Sequence, residues 1–464
     1  MTFPQAHRRQ ILGSTAAAFA GFLASGAGAR VPSNPAVQSL RGAVGRPDPV
    51  KSNLVRDPAG LLDLEEGFSY RVVSQLGDVM DDGLTVPDSA DGMGAFALPG
   101  GDIALVRNHE LTPGKPGGGE LPAGYARGPD GAVFPGGTTT LVLDPETLAI
   151  KRQLRSLAGT VRNCSGGITP WGTWLTCEEP GWGIDRLPDH GYVFEVPAGA
   201  TSLVDAKPLK AMGRFNHEAA CVDPATGIVY MSEDKDDGLL YRFVPEVPGD
   251  LAQGGQLQAL AMTSGIRDAR NKDEAMVRRG VQYTARWIGL DNPEAPDDDL
   301  RTRGADAGAL VIARGEGLHM GTSGGIGEFY LCSTSGGAAG LGQIFRIRIG
   351  AVEGAFSGGA GRMDTIELFF ESENKAQMNF GDNLTVAPFG DLIVCEDQYT
   401  DVVNNRLIGV TPKGEPYVFG ALNMQTELAG GCFSPDGKWF FVNAYSPAKT
   451  IAITGPWEKL AARG

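Results

Sequence analysis

The sequence predicts an all-β chain, a six-bladed β-propeller that carries a partly helical insertion. Three observations predict it: a turn-plus-strand unit that recurs, a composition crowded with turn formers, and few stretches of helical period. The chain has 464 residues, of which 67 are Gly and 30 are Pro. The recurring unit is anchored on a Pro that opens a turn. Small residues precede the turn, and a short apolar run ending in a polar pair follows it. Three copies align without a gap: Cys164 through Pro170 to Glu179, Glu218 through Pro224 to Glu233, and Asp382 through Pro388 to Asp397. Weaker copies surround Pro99, ending in Asn108, His109 and Glu110, and Pro435, ending in Asn443. A degenerate copy opens at Glu316 and runs through Cys332, which makes six units.

A radial array of such units brings equivalent positions to one axis, so ligands far apart in sequence converge. Six residues before the Pro stand Cys164, Glu218 and Asp382, and nine after it stand Glu179, Glu233 and Asp397. All are residue types that ligate metals. Burying so many carboxylates together is unfavourable unless cations neutralise them. The pattern therefore predicts an axial metal site in preference to acidic strand ends bathed in solvent.

Residues 1–29 read as a twin-arginine export signal. Arg8 and Arg9 precede a weakly apolar run to Leu23, and Ala27-Gly28-Ala29 supplies small residues for cleavage. His7 departs from the Ser or Thr usual there. The run is short and closes on a cleavage-like site, so it is expected to be removed and to leave no stable membrane anchor. The mature protein is then expected in the periplasm or outside the cell, as a monomer, with the twin-arginine export machinery as a transient partner. Residues 30–61 are Pro- and Ser-rich and read as a linker or arm.

Residues 62–464 read as one propeller domain. Strands are expected at 68–73, 95–98, 103–107, 138–143, 174–177, 192–196, 228–231 and 240–244, and again at 329–332, 343–347, 392–395, 407–410, 417–419 and 439–442. The insertion, about 246–310, holds two stretches with a helical look, Arg270–Arg279 and Asp297–Asp306, with Asp297 to Asp299 placed as caps. An insertion between blades commonly roofs an axial site.

The net charge of −15 argues against nucleic acid as a partner and suits cations. Of six cysteines, Cys177, Cys221, Cys332, Cys395 and Cys432 occupy apolar positions of the repeat and read as core. Cys164 alone stands in the polar column. A thiolate there is a soft ligand among hard carboxylates, which favours a transition metal at that position.

Several motifs resemble the secreted alkaline phosphatase family called PhoX. They are Asn163-Cys-Ser-Gly-Gly-Ile-Thr-Pro-Trp-Gly-Thr-Trp-Leu-Thr-Cys-Glu-Glu179, Arg107-Asn-His-Glu110, Gly213-Arg-Phe-Asn-His-Glu-Ala-Ala220 running into Asp223 to Asp234, and Glu427-Leu-Ala-Gly-Gly-Cys-Phe-Ser-Pro-Asp-Gly437. They spread over nearly the whole mature chain. The Cys-to-Glu-Glu and Asn-His-Glu motifs are specific, whereas Ser-Pro-Asp-Gly is a general propeller turn. The resemblance implies a propeller whose axis holds iron and calcium and which releases phosphate from monoesters. It implies iron at Cys164, with Glu179, Glu218 and Glu316 beside it, and calcium chiefly at Glu110, Glu233, Asp234, Glu396 and Asp397. Arg314, in Ala-Arg-Gly-Glu-Gly317, resembles the arginine that holds the phosphate, so Cys164 and Arg314 are the residues expected to act in catalysis. The family's second cation, a lysine expected after Gly254-Gly255, is missing from Leu257–Met262; Lys235, Lys272 and Arg303 stand as substitutes.

Clustered cations neutralise phosphoryl oxygens and lower the proton affinity of a held water, so no Ser or His nucleophile is needed. The chain has five His and no Gly-x-Ser-x-Gly elbow suited to an acyl-transfer triad. His109 and His217 each precede a ligand Glu on a strand and are expected on the opposite face, in packing or behind the ligands. The chain thus reads as an exported, metal-dependent phosphohydrolase. Two other readings stay open. One is a calcium-dependent lactonase or esterase propeller, against which the thiol of Cys164 speaks; the other is a non-catalytic binding propeller whose metals lock the blades, to which the missing lysine gives weight.

Overall fold

Alternating Val, Leu, Ile, Thr and Tyr in segments of five to nine residues, punctuated by Gly and Pro turns, dictate antiparallel meanders. The computed structural model describes residues 53–180, 187, 189–323, 326–350, 363–398 and 404–463. The expected export signal and most of the expected arm lie outside the described residues. The architecture is all-β and propeller-like, and no helix among the described residues is long and apolar enough to cross a membrane.

Each meander starts with an inner strand: Ala90–Ala97, Asn163–Ile168, His217–Val222, Gly315–Ser323, Gly381–Val386 and Leu428–Phe433. These strands neighbour one another in that order, and the last returns to the first. Outward from them run sheets of four, three, nine, six and four strands. The sheets number five because the third and fourth meanders fuse, Gln282–Thr284 pairing with Thr365–Glu367. The chain's first long strand, Ser69–Gln75, pairs with Lys449–Thr454 and so completes the last sheet. Leu54–Val55 pairs with Leu62–Glu65, which itself borders Pro416–Leu422, so part of the span read as an arm belongs to a sheet edge.

The core sits between consecutive meanders. Phe96, Ala104 and Val106 meet Trp174 and Phe194; Leu175 and Val193 meet Val222 and Met231; Tyr230 and Leu240 meet Phe329 and Leu331. Further round, Cys332 and Ile344 meet Leu384 and Val394; Ile393 and Leu407 meet Phe440 and Val442; Phe441 and Trp439 meet Met93 and Leu105. Each such large side chain contributes roughly 1.5–3 kcal/mol on burial. The five cysteines read as core lie in these layers, and all six cysteines are free and buried.

The insertion is less helical than its sequence suggests. Residues 255–262 and 282–290 are strands, and one short helix, Leu300–Asp306, follows. Arg270–Arg279 is irregular: Asn271, at a φ of 52°, folds back so that its side chain accepts from Val277 N and donates to Val277 O, replacing helical bonds. Asp299 stands at the helix's N-cap position but makes no side-chain cap hydrogen bond. Asp298 and Asp299 accept instead from Arg301 and Arg303, at 3.0 and 2.9 Å.

The small residues of the repeat have a steric cause. Inner strands of neighbouring meanders approach backbone to backbone: a Cβ on Gly92 would stand 2.5 Å from Ser165 Cα, and one on Gly317 would stand 2.5 Å from Leu384 N. Gly317→Ala is therefore expected to cost about 1–3 kcal/mol by overpacking. Chemical denaturation of the variant against wild type measures it.

Candidate metal centre

The inner strands are irregular in the same place. The register shifts between Ala90 and Met93, Asn163 and Gly166, His217 and Ala220, Gly315 and Leu318, Gly381 and Leu384, and Ala429 and Cys432. A bulge re-aims the side chain it carries. The residues so placed are Asp91, Cys164, Glu218, Glu316, Asp382 and Ala429. Two residues earlier, Ser89, Arg162, Arg314 and Phe380 all take left-handed φ values of 48–58°. From this earlier position the carbonyls of Ser89, Arg162, Asn216, Arg314, Phe380 and Glu427 accept, at 2.9–3.2 Å, from the amides of Glu110, Glu179, Asp234, Thr334, Asp397 and Tyr445. One backbone device thus sets two columns of side chains around the ring.

These columns meet in four overlapping groups, each with ligand atoms within 4.8 Å of one another: Asp91, Glu110 and Cys164; Cys164, Glu179 and Glu218; Glu218, Glu316 and Asp382; Asp382, Asp397 and Glu427. Cys164, Glu218 and Asp382 are each shared by two groups. Both carboxylate oxygens of Glu218, and Oδ2 of Asp397, are buried without a hydrogen-bond partner among the described residues. An orphaned buried carboxylate is costly, so the donor set fits cations. Burial and then the charge of Asp91 push the Cys164 thiol up; burial and then Asp382 push Glu218 up. Burial and then Asp234 do the same to Glu316, and burial lifts Glu179 to about 7 against the pull of Arg162.

Glu233 and Glu396 turn elsewhere. Strand register places Glu233 opposite His217 and Glu396 opposite Gly381, just as Glu178 lies opposite Asn163. Glu233 accepts from Tyr241 Oη at 2.8 Å and from Leu239 N at 3.3 Å; Glu396 accepts from Arg406 Nη2 at 2.6 Å and from Asn379 N at 2.7 Å. Burial raises both, opposed by Arg301 at Glu233 and Arg406 at Glu396. The gapless alignment misleads here because the turn Pro224-Ala-Thr-Gly227 has one residue more than Pro170-Trp-Gly172 and Pro388-Phe-Gly390. Asp234, not Glu233, is thus the partner of Glu179 and Asp397.

Asp234 lies beside the four groups and faces Arg314. Arg314 Nε and Nη2 donate to its two oxygens at 2.8 and 3.1 Å, and Nη2 also reaches Glu316 Oε1 at 2.7 Å. Burial works against ionisation of Asp234, but the guanidinium outweighs it and holds the carboxyl below the usual range. Arg314 is therefore a partly exposed wall of the cluster, held by two of its carboxylates. His109 bonds Asp88 O and Thr139 Oγ1, and His217 bonds Gly213 O and stacks on Phe215; burial depresses both. Neither stands poised as a base.

Among the three substitutes for the missing lysine, Lys272 pairs with Asp236, and Arg303 is held by Asp291 and Asp299. Lys235 lends its backbone, its carbonyl accepting from Arg314 N at 2.8 Å. Sequence reasoning missed Arg162, whose Nη2 lies 2.5 Å from Glu110 Oε1 and also contacts Glu179 Oε2. It missed Asp91 and Glu427 as ligands too. Asp91 stands eight residues before Pro99, not six, and Glu427 occupies the column of Arg162 and Arg314. Asn443, the end of the weak last copy, donates to Asp91 O at 2.6 Å and so holds the first ligand strand.

A model of the alkaline phosphatase PhoX family matches residues 51–144 and 135–448, most of the chain. The chain belongs to the PhoX family. Membership makes it a phosphoester hydrolase. Among solved structures, it resembles that of Pseudomonas fluorescens PhoX in complex with vanadate, a transition state analogue. Identity there is 19% and the TM-score 0.67, over 88% of this chain and 97% of the other, a likeness of fold. A gluconolactonase from Xanthomonas campestris aligns over 89% of this chain and 100% of its own, at 11% identity and a TM-score of 0.40. No curated protein matches in sequence.

Two outcomes follow from this geometry. Glu179→Gln is expected to lower bound metal, whereas Glu233→Gln lowers stability by about 1–3 kcal/mol and leaves metal content intact, as elemental analysis and denaturation will read. Glu179, Glu218 and Glu316 hold protons more tightly folded than unfolded. Their contribution to metal-free stability is full below the ordinary value of 4.5 and is lost as pH rises, through about 7 for Glu179 and further up for Glu218 and Glu316. The chelator-stripped protein should thus melt at a lower temperature at about pH 8 than at about pH 5, while metal affinity rises over the same interval.

Proposed function

We propose that the chain is an exported phosphatase that releases inorganic phosphate from phosphate monoesters, using iron and calcium at the axis of six blades. The observation that carries this reading is the string of four ligand groups joined through Cys164, Glu218 and Asp382 in a chain of the PhoX family. Cys164, with Glu179, Glu218 and Glu316, would hold iron, because a thiolate among carboxylates suits a transition metal. Asp91 and Glu110 on one side, and Asp382, Asp397 and Glu427 on the other, offer the all-oxygen settings calcium prefers. Asp234 and Arg314 stand beside the iron ligands as a charge-balanced pair. Glu233 and Glu396, which the family resemblance would give to calcium, serve here to fasten strand ends.

Bound at such a site, these ions neutralise phosphoryl oxygens and acidify a coordinated water. The protein's own part is positional. Arg314, fixed on Asp234 and Glu316 through Nε and Nη2, brings a positive charge that attracts a phosphoryl group and orients it for in-line attack. No side-chain nucleophile is required, which agrees with histidines spent on backbone and packing contacts. Export is supported by Arg8-Arg9 and the small residues at Ala27 to Ala29.

Purified protein should contain iron and calcium and release phosphate from an aryl phosphate at alkaline pH. Cys164→Ala is expected to lose iron and, with it, turnover by about a hundred-fold or more; Arg314→Ala should lose about as much while keeping its metals. Calcium alone, with lactone cleavage and no phosphate release, would overturn the reading.

A further inference from the structure

The position two residues before the bulged ligand repeats around the ring, and in two meanders it carries arginine. Arg162 precedes Cys164 as Arg314 precedes Glu316. Both have a φ of 48°, a conformation costly for a residue with a side chain and one that clusters at functional sites. Each guanidinium spans two cluster carboxylates: Glu110 and Glu179 for Arg162, Asp234 and Glu316 for Arg314. The two arcs are tied by Asn216, whose Nδ2 donates to Glu179 Oε1 at 2.9 Å and to Asp234 O at 3.5 Å.

Three of the four carboxylates are buried more deeply than the arginines that hold them, while the fourth, Asp234, is 17% exposed. The side chains of Glu110, Glu179 and Glu316 are 1%, 3% and 2% exposed, whereas those of Arg162 and Arg314 are 16% and 20% exposed. Arg162 and Arg314 thus make a partly exposed rim beside the buried Glu110, Glu179 and Glu316. An anion arriving from solvent at a cluster of negative side chains meets cationic groups first at this rim.

We propose that Arg162 is a second anion-holding residue of the same site, acting with Arg314 so that a phosphoryl group is received by two guanidiniums. The inference rests on the phosphatase reading above. Arg162 is a cation at the site besides Arg314: Lys272 pairs with Asp236 and Arg303 with Asp291, whereas Arg162 lies on Glu110 and Glu179. Two permanent guanidinium charges attract a phosphate dianion in preference to a neutral ester.

The test uses purified, metal-loaded protein and inorganic phosphate as the probe, with binding read by calorimetry and metals by elemental analysis. Arg162→Gln should keep its metals, bind phosphate roughly ten-fold or more weakly, and raise KM for an aryl phosphate more than it lowers kcat. Arg162→Lys should recover part of the affinity. Unchanged phosphate binding in Arg162→Gln would overturn the proposal. So would loss of metal from that variant, since the residue would then be a scaffold of the cluster. If wild type binds phosphate yet hydrolyses no phosphoester, the functional reading fails, and the effect of Arg162→Gln on binding still decides this one.

Discussion

Repulsion among buried like charges governs this protein. Eight carboxylates and a thiol are drawn within ligand distance of one another in a chain of short overlapping groups. Water cannot screen them there, and the low effective dielectric of an interior makes each ionised pair expensive. Two arginines at the rim offset part of that cost. The remainder appears as carboxyls and a thiol that resist ionisation, a state that cations of high charge density would reverse.

What lets the chain impose this burden is mechanical. Hydrophobic layers between every pair of neighbouring meanders hold the inner strands in a ring, and small residues allow their backbones to touch. The bulge at the start of each strand then aims one side chain inward, while an amide from the strand beyond pins the turn that precedes it. Stability sits in the layers and chemistry in the bulges. The strained left-handed residues at the junction are tolerated because both sides over-determine them.

Much of this was legible in the chain. The repeat revealed the strands after each turn, since Leu175, Met231 and Val394 alternate with residues of the opposite face. It did not reveal the inner strands, whose Gly, Ser and Ala lack period because both faces are packed. Spacing from the Pro located Cys164, Glu218 and Asp382. It failed wherever a turn or strand changed length by a residue or two, hiding Asp91 and exchanging Glu233 for Asp234. Arg162 escaped because a guanidinium beside a core motif carries no periodic signal; only its match to Arg314 in three dimensions exposes it. The charged stretch 270–279 looked helical, yet one asparagine side chain satisfied the backbone in another way.

The last sheet borrows its outermost strand from the beginning of the polypeptide, Ser69–Gln75 lying against Lys449–Thr454. The ring is thereby latched by residues nearly four hundred apart, and Glu427 reaches its neighbours late in synthesis. The candidate ligand set among the described residues, Asp91 to Glu427, is therefore incomplete until nearly the whole ring has been made.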